Sequence, residues 1–251
     1  MSKSAAARAG AVQTIAGEVR EYCIAHANPD LVRKYAKFFR EGYDAYGIDH
    51  KDPEWERHRK DWAARLRAAG PAAYLDAGDI LTRTGKYEEA SVAILCAAAM
   101  RDRYTPAAFT RIGKWFEGGI RNWGHSDAIC SLVLGPFLTD GVVDLDAVGA
   151  WRTSEFKYKR RAVPVAMLPL LDQRSDYGAL FAIIEPLMTD PERVVHQGVG
   201  WLLREAWKRQ PKPTEAFMLK HRDTAARLIF QYATEKMTPA AKLRFRRSKG
   251  A

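Results

Sequence analysis

Trp123 and Asp127 stand four residues apart in the stretch WFEGGIRNWGHSDAIC. On a helix that spacing puts both on one face. The result is an aromatic plane beside a carboxylate, the first half of a site. Arg161, in the basic run KYKRRAVPVAM, and Trp201, in the strongly periodic HQGVGWLLREAW, are the other residues able to do chemistry. Arg160 and Arg161 are adjacent and point in different directions, so one is expected to be solvated while the other reaches a phosphate.

Each of these residues also has a plain structural reading. Asp127 follows Ser126 near an expected helix start, where an acid complements the backbone dipole. Trp123 reads equally well as a staple under that helix. Trp201 shares a stripe with Val195, Val199, Leu202 and Leu203, the pattern of a core indole. Gly198 and Gly200 argue for something more, since each costs roughly 1 kcal/mol in a helix interior. Close approach of another helix or of a ligand backbone is the common reason to accept that cost.

The elements that must position these side chains are helices. Residues 4 to 26 are Ala-rich, with Val12, Ile15, Val19 and Tyr22 at helical spacing. Asn28-Pro29-Asp30 stops that helix and starts another, LVRKYAKFFREGY, expected to end near Gly47. From Pro71 onward helices follow one another between turn signals such as Arg83-Thr84-Gly85, Asp140-Gly141 and Asp190-Pro191. No period-two run of useful length appears. SVAILCA from Ser91, SDAICSL from Ser126, RAVPVAM from Arg161 and QGVGWLL from Gln197 start 35, 35 and 36 residues apart. Helix pairs that bury their apolar faces only by stacking give such a register. The expected fold is all-α, a curved α-solenoid of HEAT-like helix-pair repeats with a concave basic face. It forms one domain over 1–251, with an N-terminal helix over 1–27 and a basic tail over 238–251. The tetratricopeptide signature of Trp, Leu-Gly and Tyr is missing.

Hydrophobic residues make up 47% of the 251 residues, enough for an ordered core. The 40 Lys plus Arg against 30 Asp plus Glu give a formal +10, which points to a polyanionic partner without separating nucleic acid from a membrane surface. No run approaches the ~18 apolar residues of a spanning helix, and the start MSKSAAARAGAVQ lacks a signal peptide's apolar segment. A cytoplasmic protein without membrane attachment is expected. Cys23, Cys96 and Cys130 lie too far apart in sequence for a disulfide framework or a structural zinc site and are expected to be reduced. His50 and His58, among Asp49, Asp52, Glu54 and Glu56, match no ligand spacing and read as solvated. No metal or cofactor is expected. The end, TPAAKLRFRRSKGA, carries Lys242, Arg244, Arg246, Arg247 and Lys249 without an acid. It is either a frayed helix or tail that grips phosphates, with Arg244 and Arg247 among the contacts, or a solvated terminus.

Trp123-x3-Asp127, Arg161 within YKRRAVPV, Gly200-Trp201 within HQGVGWLLREAWKR, and FFREGYDAYGI near the N-terminus together resemble the AlkD-like DNA alkylation repair glycosylases, built of HEAT-like repeats. The likeness runs from about residue 30 to about residue 235. In that family the residues matching Trp123, Asp127 and Trp201 surround the damaged nucleotide, and the one matching Arg161 contacts the DNA backbone. The resemblance implies a monomeric, nucleoid-associated glycosylase for base excision repair. It would hydrolyse the N-glycosidic bond of cationic alkylated purines, N3-methyladenine and N7-methylguanine, in duplex DNA without flipping the base. Asp127, Trp123 and Trp201 are then the catalytic residues, and Arg161, Arg160, Lys159 and Phe38 hold the DNA. Gly124 and His125 depart from a richer aromatic and acidic run, Phe38 stands where better-known members have a tyrosine, and Tyr158 replaces a usual Trp. None of these removes the carboxylate. A non-catalytic DNA-binding relative and a protein-interaction solenoid stay open as alternatives.

Overall fold

The computed structural model describes residues 3–248, and every regular element among them is helical. Lys249 of the basic C-terminal run lies outside the described residues. Two compact units follow one another along the chain, Met1–Val133 and Leu134–Ala251. The first contains α1 (Lys3–Ala25), α2 (Pro29–Ala36), α3 (Pro53–Ala69), α4 (Ala73–Arg83), α5 (Tyr87–Ala98), α6 (Pro106–Gly113), α7 (Trp115–Gly118) and α8 (Trp123–Ile129). The second contains α9 (Gly135–Thr139), α10 (Leu145–Gly149), α11 (Lys157–Ala166), α12 (Gly178–Ile184), α13 (Arg193–Arg209), α14 (Pro211–Lys220), α15 (Arg227–Ala233) and α16 (Pro239–Lys242). No helix among the described residues is long and apolar enough to cross a membrane.

Local chemistry sets the helix starts. Asn28, Asp52 and Thr105 each place a side-chain oxygen on the first free backbone N–H groups, and a proline fixes the first helical residue after each of them. On α1, Val12, Ile15, Val19 and Tyr22 are all buried, the stripe expected from their spacing. Trp55 and Trp62 of α3 pack against Tyr22, and α4 and α5 also pack on α1, with Leu66, Leu81 and Ile94 buried. The helices α5, α8, α11, α13 and α15 begin at intervals of 34 to 36 residues, which carries the sequence register through both units.

In the second unit α13 packs on α11 and on α15. Its two glycines explain how. A Cβ at Gly198 would sit 3.3 Å from the Arg161 carbonyl and the Pro164 ring, and one at Gly200 would sit 2.5 Å from Tyr232 Cβ and 2.7 Å from the Ile229 carbonyl. Both positions admit a neighbouring helix. Gly200→Ala therefore adds about 1 to 3 kcal/mol of overpacking strain, more than the roughly 1 kcal/mol it gains in helix propensity. A lower unfolding midpoint is expected, while Gly10→Ala, with nothing within 4 Å of the new methyl, raises it.

Two sequence expectations are corrected. The helix after Asn28 ends at Ala36, so Phe38, Phe39 and Tyr43 stand in turns and loop rather than on a helix reaching Gly47. Through Ser248 the C-terminal run is neither frayed nor a free tail. Thr238 caps α16, and Phe245 is 1% exposed.

Candidate functional site

Asn122 starts α8, its Oδ1 accepting the His125 N–H at 2.8 Å. Trp123 is therefore the first helical residue, and Asp127, half-buried, lies beyond the first turn. The dipole reading of that acid fails, because the effect fades within one turn. Immediately after α8 the chain widens into a π-turn over Cys130–Leu134, ahead of Pro136. Pro136 has no N–H and its ring crowds the carbonyl four residues back, which favours the wider turn.

Trp123 is 42% exposed, so it is not a buried staple. Its Nε1 donates to the Phe38 carbonyl at 3.0 Å, and its ring stacks on Phe39 with centroids 5.5 Å apart. Phe39 in turn stacks on Tyr43 at 4.6 Å, and both lie against Tyr87. Phe38 itself turns outward, 55% exposed. Phe39, Tyr43 and Tyr87 are thus the residues that orient the indole. Their aromatic density in FFREGYDAYGI was visible, but not their meeting with Trp123. A cavity of about 240 Å³ beside this cluster is lined by Tyr43, Tyr87, Arg121 and Asn122, among others.

The loop that carries these aromatics is held from below by Glu88. Its fully buried carboxylate accepts the backbone N–H groups of Tyr46 (2.9 Å), Gly47 (2.8 Å) and Ile48 (3.2 Å). Gly47 takes a positive φ of 86°, and a Cβ there would strike the Asn28 carbonyl. Glu89 beside it accepts from Arg20 and from the Tyr46 hydroxyl.

His125, read from sequence as a local departure near the pocket, is a core residue at 2% exposure. Its ring stacks on Tyr87 at 4.3 Å. Nε2 donates to the Tyr87 carbonyl at 2.9 Å, and Nδ1 accepts from Asn122 Nδ2 at 3.0 Å. Burial, only partly offset by the Tyr87 carbonyl, pulls its pKa down to about 4 from 6.5. A histidine whose folded pKa is lowered contributes stability that is complete above 6.5 and is lost as the pH falls towards 4. Lowering the pH from 7 to 5 is expected to cost the fold about 2 kcal/mol through this group. His125→Gln should flatten that part of a urea-unfolding series.

In the second unit Trp201 stands on α13, half-buried, one turn beyond Gln197, whose amide donates to the Tyr232 hydroxyl. Neither arginine of the adjacent pair is solvated, contrary to expectation. Arg160, its side chain 11% exposed, grips Asp190 through Nε and Nη2 and gives Nη1 to the Ser154 and Glu155 carbonyls. Arg161, 5% exposed, donates Nη1 to the Val194 carbonyl at 2.7 Å. Arg160 faces inward onto Asp190 and the carbonyls just before α11, and Arg161 onto a carbonyl in the first turn of α13. Lys159 is half-buried, its ammonium 5.4 Å from the Trp151 ring.

Residues 19–237 match the family model described as DNA alkylation repair enzyme. The chain belongs to that family. A solved chain described as a predicted DNA alkylation repair enzyme from Enterococcus faecalis shares its fold with a TM-score of 0.74. The two are 18% identical, over 85% of this chain and 98% of the other. No curated protein sequence matches. Membership supports a role in DNA repair, with DNA as the partner it implies.

In this DNA alkylation repair family member, Arg244 and Arg247 differ in setting. Arg244 is paired with Glu215 at 2.6 Å, whereas Arg247 is exposed. Among the described residues no three His, Cys, Asp or Glu side chains are grouped to hold a metal. His58 packs on Tyr22 and Trp62 rather than standing free in water, and His50 lies edge-on to Tyr87. Cys23, Cys96 and Cys130 are buried free thiols.

Proposed function

We propose that the protein is a DNA glycosylase that removes cationic alkylated purines, N3-methyladenine and N7-methylguanine, from duplex DNA. The observation that carries this reading is on α8. An exposed indole, oriented by the Phe38 carbonyl and the Phe39 ring, begins a helix whose second turn holds Asp127 on the same face.

An alkylated purine already carries positive charge and leaves with the electron pair of its C–N bond, so no general acid is needed. Water attacks the sugar carbon and gives up a proton. Asp127 stabilises the developing oxocarbenium and orients or deprotonates that water. Trp123 and Trp201 pack on the sugar and the cationic nucleotide. Lys159 serves the DNA backbone, while Arg160 and Arg161, turned inward onto Asp190 and the Val194 carbonyl, brace α11 behind it. Phe38 lies against the DNA beside Trp123. The base is not flipped into an enclosing pocket, so bulky cationic adducts are tolerated and neutral lesions are poor substrates.

The test is release of both bases from alkylated duplex DNA, with duplex affinity measured at two salt concentrations. Release together with salt-sensitive binding is the expected result. Binding without release makes the chain a non-catalytic DNA-binding relative, and binding that is absent or indifferent to salt makes it a protein-interaction scaffold.

A further inference from the structure

Beyond the matched residues 19–237 the chain is built into the second unit. Phe245 packs against Phe230, ring centroids 6.3 Å apart, and its carbonyl accepts from Arg227 Nη1 at 2.9 Å. Three residues on, Ser248 is held by Asp223, through its backbone N–H at 2.7 Å and its hydroxyl at 3.1 Å. Arg222 also donates to the Ser248 hydroxyl, at 2.9 Å. Arg246 and Arg247 therefore sit between two anchored neighbours, with both side chains exposed.

Most basic groups nearby already have an acid. Arg244 has Glu215, Lys236 has Glu235 and Arg222 has Asp223. Arg227, Arg246 and Arg247 have no ion pair among the described residues. Burial, and then the neighbouring Arg247, hold the Arg227 pKa below its usual value, with Asp223 opposing. Like charges are kept close by a backbone tether, and the surplus is cationic.

We propose that Arg227, Arg246 and Arg247, set in place by the Asp223–Ser248 contact, form a preorganised site for a phosphodiester group of duplex DNA, separate from the residues that carry the repair chemistry. The proposal rests on the DNA repair reading above. Guanidinium groups match phosphate oxygens two donors at a time. Anchoring the segment beforehand removes part of the ordering cost of binding. Each phosphate neutralised adds about 0.9 to the salt slope of the affinity.

The experiment is binding of the full chain to an undamaged duplex over a salt series. Arg246→Gln/Arg247→Gln, made at exposed positions, is expected to lower the slope of log affinity against log salt by about 1 to 2. The loss should be the same for every DNA sequence. A wild-type slope in this variant overturns the site while leaving the repair reading intact. Absence of duplex binding by the wild type overturns both. Asp223→Ala tests the tether, because it removes a negative charge and would by charge alone tighten binding to a polyanion. Weaker binding, with a reduced slope, is expected once Ser248 is released. Equal or tighter binding overturns the role of Asp223 as a positioning residue.

Discussion

Asp127→Asn is expected to release N7-methylguanine from alkylated duplex DNA about 100- to 1000-fold more slowly than the wild type, which corresponds to about 3 to 4 kcal/mol of barrier lowering. The amide keeps the volume and position of the side chain but not its charge. What it loses is attraction for a sugar carbon that becomes positive only as the bond breaks. The half-buried setting of Asp127 in the second turn of α8 makes this a local change, away from the cap formed by Asn122. Duplex affinity and the urea midpoint are therefore expected to stay near the wild-type values. Single-turnover release with saturating enzyme separates the two effects, since it reads the chemical step alone. Wild-type release by Asp127→Asn would falsify the catalytic assignment.

Glu88→Ala is expected to lose about 3 kcal/mol or more of stability and so to unfold at a much lower urea concentration than the wild type. Three backbone N–H groups, those of Tyr46, Gly47 and Ile48, lose their only acceptor on a carboxylate that water does not reach. Each buried donor left unpaired costs about 1 to 3 kcal/mol, against which the relief of no longer burying a charge is a partial offset. Function is affected as well. The same loop brings Phe38 and Phe39 to Trp123, so the indole loses both its carbonyl partner and its stacked ring. Faster amide exchange at Tyr46, Gly47 and Ile48 is expected in Glu88→Gln, whose single amide oxygen replaces a carboxylate that served all three. A Glu88→Ala variant as stable as the wild type would remove the loop anchor from the account.

Several features of this protein follow from residues close together in the chain. The Asn28-Pro29 and Asp52-Pro53 pairs place helix starts, because a capping oxygen and a fixed φ act over a few residues only. The all-α class and the 35-residue register follow from apolar spacing, since periodicity states which face each helix must bury. The shared face of Trp123 and Asp127 follows from their four-residue separation.

Other features depended on where distant segments meet. Glu88 is an unremarked acid in sequence, and it becomes an anchor only when a loop 40 residues earlier folds over it. One of Arg160 and Arg161 reads as a solvated cation until Asp190, 30 residues on, takes the Arg160 guanidinium and the Val194 carbonyl that of Arg161. His125 looks like a pocket residue and proves to be core, because Tyr87 and Asn122 close around it. The basic end reads as a tail until Asp223 and Arg227 fasten it. Apart from the stretch after Ala36, helical spans and apolar faces were legible in the chain, because periodicity and capping act between near neighbours. The partners of the polar groups came with folding, because a buried donor or acceptor must be satisfied by whatever distant segment the fold brings to it.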